Sequence, residues 1–343
     1  MKIGCNAPAV SSIRNDQWTT ARCEARCMIN AGFGFGLLGH SVDIIGSSFP
    51  SVPIEVSPNV FLRNTPDYSS EYDIFCGYNI NPGFTNYKRS IHLLEPCGSE
   101  KSLKALPIQF PKADFFVLCR RKKDKVSRII GKEVRFFPML FPNPSLPGLE
   151  SQDFKPFSFD ISKKEINLWI YACSWPNYYI ECDSRIRFIV DMLLGRGYTL
   201  NITLHWNGLD PIRPAMQHFV NIGAKVINSR ELSYIDVLNI LDKQDICITK
   251  GGPVYYGNCV FDILSLGKLL FYVTEGKMED HINDLYPLED YVIRQEDSQA
   301  AVKTKFDRIM SNPMACYDSL AHEIPFNFPR WSPVVQEILE TLK

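Results

Sequence analysis

Short apolar runs bounded by Gly, Pro, Asn or Asp alternate along the chain with stretches of helical spacing. Lys2–Cys5 predicts a first strand, followed by an irregular polar loop through Thr19. Thr20–Gly39 predicts a helix and Ser41–Ile45 the second strand. Strands follow at Tyr72–Tyr78, Lys88–Leu94, Asp114–Cys119 and Glu133–Phe137, with a helix at Arg120–Ile130. The periodicity then lapses. Pro138 to Phe159 carries Pro138, Pro142, Pro144, Pro147 and Pro156, which predicts a linker. Alternation restarts with strands at Glu165–Tyr171, Leu200–His205, Ala224–Ile227, Asp245–Thr249 and Leu269–Val273, and a short one at Tyr291–Ile293. Helices are predicted at Cys182–Gly195, Pro214–Ile222, Tyr234–Gln244, Asn258–Leu266, Thr304–Met310 and Ser332–Leu342. Strands alternating with helices predict parallel sheets covered by helices.

This pattern predicts an α/β chain of two Rossmann-like domains facing a central cleft, where open parallel sheets bind ligands. The domains are residues 1–145 and 163–325, joined by a linker at 146–162. Residues 326–343 are expected to form a C-terminal helix packing back toward the first domain.

The segment Asp245–Gly276 carries the most chemistry: strand, the glycine turn Lys250-Gly251-Gly252-Pro253, a helix bearing Asp262, then a second strand. A glycine turn at a strand's carboxyl end can present backbone N–H groups and a helix N-terminus to an anion. Asp262 could accept hydrogen bonds from ribose hydroxyls. The same string also fits an ordinary parallel α/β unit with Gly267 as the helix cap. Gly34-Phe-Gly36-Leu-Leu-Gly39 matches a dinucleotide fingerprint in letters only, because it precedes a strand instead of following one.

Composition narrows the classes. Forty-five per cent hydrophobic residues over 343 positions suit two domains with real cores. No apolar run is long enough to span a bilayer and the first residues do not read as a secretory signal, so a cytoplasmic protein is expected. The 11 cysteines include no C-x-x-C pair, which points to reduced thiols and away from a zinc ribbon. Net charge is −1 but uneven: residues 1–150 hold 18 Lys+Arg against 13 Asp+Glu. The surplus concentrates at Arg120, Arg121, Lys122, Lys123, Lys125, Arg128, Lys132 and Arg135. Such a run is either a solvated helix face or a surface for a polyanion.

The organisation resembles the GT-B nucleotide-sugar glycosyltransferases. In the first half the likeness rests on Met1-Lys-Ile-Gly4, Leu38-Gly39-His40 and the strand Ser41–Ile45. In the second it rests on Tyr234–Lys268, where Phe261-Asp262-Ile-Leu-Ser-Leu-Gly267-Lys268 is similar to the family's E-A-M-A-x-G-K-P-like element. Asp262 stands for the usual Glu, and Leu269 for Pro. Within the class, the chain looks most like phage DNA hydroxymethylcytosine glucosyltransferases. The resemblance implies an acceptor domain at 1–145 and a nucleotide-sugar donor domain at 163–325. It implies Glu95, at the end of Ser90-Ile-His-Leu-Leu-Glu95, as the general base if transfer inverts the anomeric centre. Glu95 could also be a helix N-cap or a surface pair; Asp16, in the loop after the first strand, is the second candidate and could also be an ordinary loop residue. The resemblance places Ser174, Arg185 and Arg187 at the diphosphate, although Ala172-Cys173 replaces the family's glycine pair there.

Further donor-site candidates are Lys250, Gly251 and Gly252 for the phosphates, Glu231 for the nucleotide base, and Tyr255 for stacking on sugar. Glu231 could equally cap a helix, and Tyr255 could lean into the core. His205, at a strand's end, reads either as a phosphate or sugar contact or as a structural histidine. His92 is expected to be buried in mid-strand or to point away from the Glu95 face.

The expected activity is transfer of a hexosyl or pentosyl group from a nucleotide-diphosphate donor, a UDP-sugar first, to a hydroxyl acceptor. The leading acceptor is a 5-hydroxymethyl pyrimidine in double-stranded DNA, bound at Arg120, Arg121, Lys122 and Lys123. No D-x-D motif is present, so no metal cofactor is expected to be required; a loosely held magnesium ion is compatible with the site. The rival readings are an enzyme with a glycan, lipid-linked or small-molecule acceptor, a non-catalytic nucleic-acid-binding α/β protein, and a nucleotide-sugar epimerase.

Overall fold

The computed structural model describes residues 1–7, 13–14, 17–18, 23–47, 49–77, 84–94, 100–117, 122–136, 155–172, 180–206, 214–228, 232, 234–251, 258–274, 290–327, 336 and 339–340. Two compact units divide the chain: Met1–Glu150 with Asn327–Lys343, and Ser151–Phe326.

Unit 1 begins with β1 (Lys2–Asn6) and a small antiparallel pair, β2 (Ile13–Arg14) and β3 (Gln17–Trp18), where the sequence predicts an irregular loop. Then come α1 (Cys23–Leu37), β4 (Ser41–Ile45), β5 (Ile54–Ser57), β6 (Val60–Arg63), β7 (Tyr72–Gly77) and β8 (Tyr87–Leu94). α2 (Glu100–Gln109), β9 (Ala113–Val117), α3 (Lys122–Ile130) and β10 (Val134–Phe136) complete it. The sheet runs β10-β9-β8-β7-β1-β4-β6-β5, parallel throughout except for the antiparallel edge strand β5.

The glycines of α1 belong to packing. A Cβ on Gly32 would run into Ile44, and one on Gly36 into Val60. These two residues stand one helical turn apart, so the helix lies on β4 and β6 closer than side chains would allow. Gly39 caps it in the left-handed region at φ 83°. The rejected fingerprint is therefore a helix-on-sheet contact. On the opposite side, Tyr72, Phe75, Phe84, Leu103, Phe110, Phe115, Val126 and Ile130 form a core between the sheet and helices α2 and α3.

Unit 2 comprises β11 (Glu165–Ala172), α4 (Ile180–Gly195), β12 (Thr199–Trp206), α5 (Pro214–Asn221), β13 (Lys225–Asn228), α6 (Tyr234–Leu241) and β14 (Ile246–Gly251). It continues with α7 (Asn258–Ser265), β15 (Leu269–Thr274), β16 (Val292–Arg294), α8 (Gln299–Ser311) and α9 (Pro313–Asn327). Its sheet, β13-β12-β11-β14-β15-β16, is parallel throughout. Strand order reverses between β11 and β14, which makes that junction the topological switch point.

The approach to this sheet is fastened before β11 begins. Lys155 N–H donates to the Ser265 carbonyl at 2.8 Å, and Tyr317 Oη donates to the carbonyls of Lys155 and Leu264, both at 3.1 Å. Lys268 is buried and donates to the Asp242 carbonyl at 2.6 Å and to Ser158 Oγ at 3.3 Å. The Gly267-Lys268 element of the sequence thus anchors the incoming chain.

Candidate functional site

The carboxyl edge of the unit 2 sheet gathers polar side chains. Side chains alternate between faces along a strand, so register places residues on one face or the other. Tyr171 pairs with His205, Gly251 with Thr274, and Thr274 with Arg294. With Thr249 they stand on one face at or near the strand ends, the face on which α7 packs: Thr249 Oγ1 lies 3.1 Å from Cys259 Sγ. His205, Thr249, Thr274 and Arg294 are buried. Asp262, on the same helix as Cys259, is buried as well.

The edge opens at the switch point. β11 is paired with β14 only from Leu168–Ile246 to Ile170–Ile248. Yet β11 stays with β12 to Ala172, and β14 stays with β15 to Gly251. The two central strands part company while each keeps its outer neighbour. Lys250 and Gly251 therefore belong to the strand, which runs two residues past Thr249. The sequence puts both in the turn; pairing to Val273 and Thr274 extends the ladder, and glycine carries no Cβ to oppose it.

His205 stands near the end of β12, one strand from this opening. Only 4% of it is exposed, and neither ring nitrogen has a hydrogen-bond partner. Its ring meets Trp169 edge-on at 4.7 Å and Tyr171 at 4.8 Å between centroids. Both aromatics are on β11, so the imidazole of β12 lies over that neighbouring strand. Burial lowers its pKa to about 3, which keeps the ring neutral.

The other donor-site candidates divide. Arg185 Nε and Nη2 donate to the Gln295 carbonyl at 3.3 and 3.0 Å, tying α4 to the turn after β16. Arg187 is exposed on α4. Ser174, Glu231, Gly252 and Tyr255 lie outside the described residues, as does the side chain of Lys250. Sequence reasoning misses Thr249, Thr274, Arg294 and Tyr171. A lone polar residue at the end of an apolar strand gives no periodic signal, and only register shows that they share a face.

In unit 1, Glu95 and Asp16 lie outside the described residues, as do Arg120, Arg121 and the Lys122 side chain. His92 is buried on β8 in register with Gly77, its ring 4.0 Å from that of Phe110, and burial lowers its pKa to about 4. On α3, Val126 and Ile130 face the core while Lys125 and Arg128 face solvent, and Lys123 is half-buried in the first turn. Among the described residues, Cys5, Cys76, Cys247 and Cys316 are free thiols, and no helix is long and apolar enough to cross a membrane.

Solved structures match this chain from end to end. Sucrose-phosphate synthase from Thermosynechococcus elongatus superposes with a TM-score of 0.63 at 12% identity, covering 99% of this chain and 98% of that one. The chain has the GT-B fold. GT-B likeness extends to WaaG, a glycosyltransferase involved in lipopolysaccharide biosynthesis, with a TM-score of 0.61, 12% identity and 99% coverage of both chains. An α-glucosyltransferase in complex with UDP and a 13-mer DNA containing an HMU base matches with a TM-score of 0.56 at 12% identity, covering 99% of this chain and 98% of that one. No protein-family model matches the GT-B chain, and no curated protein matches it.

Proposed function

We propose that the protein is a glycosyltransferase that moves a sugar from a nucleotide-diphosphate donor to a hydroxyl, with a 5-hydroxymethyl pyrimidine in DNA as acceptor. One observation carries the reading. Unit 2 offers a parallel sheet whose carboxyl edge parts at the switch point beside buried polar groups, within a chain that superposes end to end on glycosyltransferases. Neighbours solved with UDP-2-fluoro glucose or with UDP support a UDP-sugar as donor. The neighbour solved with DNA supports the acceptor, as does the basic surface of α3.

In the reaction the acceptor oxygen attacks the anomeric carbon and the bond from that carbon to the diphosphate oxygen breaks. The hydroxyl proton passes to a carboxylate, Glu95 in this proposal, with Asp16 as the second candidate, and the new charge stays on the nucleoside diphosphate. Arg187, Lys250, Ser174 and the amides of Gly251 and Gly252 would face that charge. Arg185, occupied by Gln295, would hold α4 in place. Asp262 would meet the ribose, Glu231 the base and Tyr255 the sugar. Arg120, Arg121, Lys122 and Lys123 would meet DNA phosphates.

Nucleotide sugars incubated with the protein and duplex DNA containing hydroxymethylcytosine or hydroxymethyluracil, then digested to nucleosides for mass spectrometry, test this. A hexose or pentose mass on the modified base is expected. Nucleotide-sugar binding with no added mass would move the acceptor to a phosphosugar or glycan, a reading favoured by the sucrose-phosphate synthase and lipopolysaccharide neighbours. DNA binding with no nucleotide-sugar binding would leave a non-catalytic nucleic-acid-binding protein.

A further inference from the structure

We propose that His205 is a ligand-binding residue at the carboxyl edge of unit 2, its two ring nitrogens kept for hydroxyl groups of the nucleotide sugar. This rests on the donor reading above.

A buried polar group normally finds a partner, and each one left without costs about 1–3 kcal/mol. His205 leaves both nitrogens without one, on a side chain walled by the edges of Trp169 and Tyr171. The ring leans over β11, the strand that separates from β14 at its end. A phenylalanine would fill such an aromatic niche with no polar loss, so packing does not call for histidine here. Being neutral, the ring offers one N–H and one lone pair, which complement hydroxyls that both accept and donate. A diphosphate only accepts hydrogen bonds and would leave the ring's lone pair unmatched. Sugar and ribose both supply such hydroxyls.

His205→Phe and His205→Gln separate the roles. Titration calorimetry with UDP-glucose, UDP and inorganic pyrophosphate, alongside melting temperatures, gives the readouts. His205→Phe is expected to weaken UDP-glucose binding about tenfold, with an unchanged or higher melting temperature. His205→Gln, which keeps a donor and an acceptor, should recover part of that loss. Weakening confined to UDP-glucose assigns the hexose, and weakening shared with UDP assigns the ribose. Wild-type affinities in His205→Phe, or a loss extending to pyrophosphate, overturns the proposal. Should His205→Phe fail to fold, imidazole ¹⁵N shifts of the wild type report directly: no change at His205 on saturation with UDP-glucose has the same meaning. A wild type that binds neither UDP nor UDP-glucose overturns the donor reading itself, and this assignment with it.

Discussion

The Ser158 amide donates to the Gly267 carbonyl at 3.0 Å, and the Ser158 hydroxyl reaches the same oxygen at 3.3 Å. The chain entering unit 2 is thereby fastened to the end of α7. Gly267 meets two demands at once. Its φ of 71° is left-handed, and a Cβ there would strike the Pro156 carbonyl. Gly197, also in unit 2, has φ 81° but open space around it. Gly197→Ala should therefore cost about 1 kcal/mol and Gly267→Ala about 2–3 kcal/mol. Urea denaturation of the two variants checks the order; equal costs would mean that the Pro156 contact relaxes freely.

Stability should rise with pH through the mildly acidic range. The His205 pKa is lowered to about 3 in the fold, against an ordinary value near 6.5. Between those values the unfolded chain binds a proton that the folded chain does not, so stability falls as pH drops from about 6.5. His92, lowered to about 4, acts with the same sign in unit 1. Each contributes a slope on the order of 1 kcal/mol per pH unit in mid-window. Asp73, hydrogen-bonded by Lys88, and Asp307, hydrogen-bonded by Lys303, have lowered pKa values, and their contributions vanish only below the ordinary carboxylate range. Denaturation at pH 5, 6 and 7.5 should show the slope reduced in His205→Phe; an identical slope would contradict this account.

DNA binding should be salt-steep and lean on α3. Lys125 and Arg128 lie on the side of this helix away from Val126 and Ile130, and Lys123 is half-buried in its first turn. Replacing all three with alanine should reduce the slope of log K against log salt by up to about 3, roughly 0.9 for each phosphate that is no longer neutralised. Fluorescence anisotropy on a labelled duplex measures it. An unchanged slope would move the DNA surface elsewhere.

Glu95→Gln should lower kcat by about 10²–10⁴-fold while leaving donor KM within a few-fold, because a general base acts on the acceptor proton and not on the nucleotide. Steady-state kinetics with saturating acceptor decides it. Equal kcat would remove Glu95 from the proton transfer and turn attention to Asp16.

The parallel strands are legible because buried strands are continuous apolar runs between turn residues. Leu269–Val273 and Leu200–His205 are recovered almost to the residue. The hairpin β5–β6 is not, since Pro53 and Pro58 beside short half-polar strands read as loop; Asn59, at φ 64°, makes its turn. α2 is hidden by Pro107, which the helix carries within its length. The pattern places α8 at Thr304–Met310, but it begins at Gln299, where the Ser298 side chain accepts from the Ala301 amide and caps it. α9 starts on Pro313, at the position where a missing amide costs least. At the site, His205 is visible as chemistry at a strand's end and Asp262 as a carboxylate within a helix. The parting of β11 from β14 is not, because it is a property of pairing between strands distant in sequence.

The glycines of α1 carry a consequence for how this chain can vary. Gly32 and Gly36 fit the helix to β4 and β6 only at one rotational setting. Inserting a single residue between Gly32 and Gly36 would turn one glycine from the other by about 100° and bring a side chain against Ile44 or Val60. The helix behaves like a key cut on one side. Length changes can be absorbed at its ends or in the loop before it, while its interior tolerates substitution on the outer face alone.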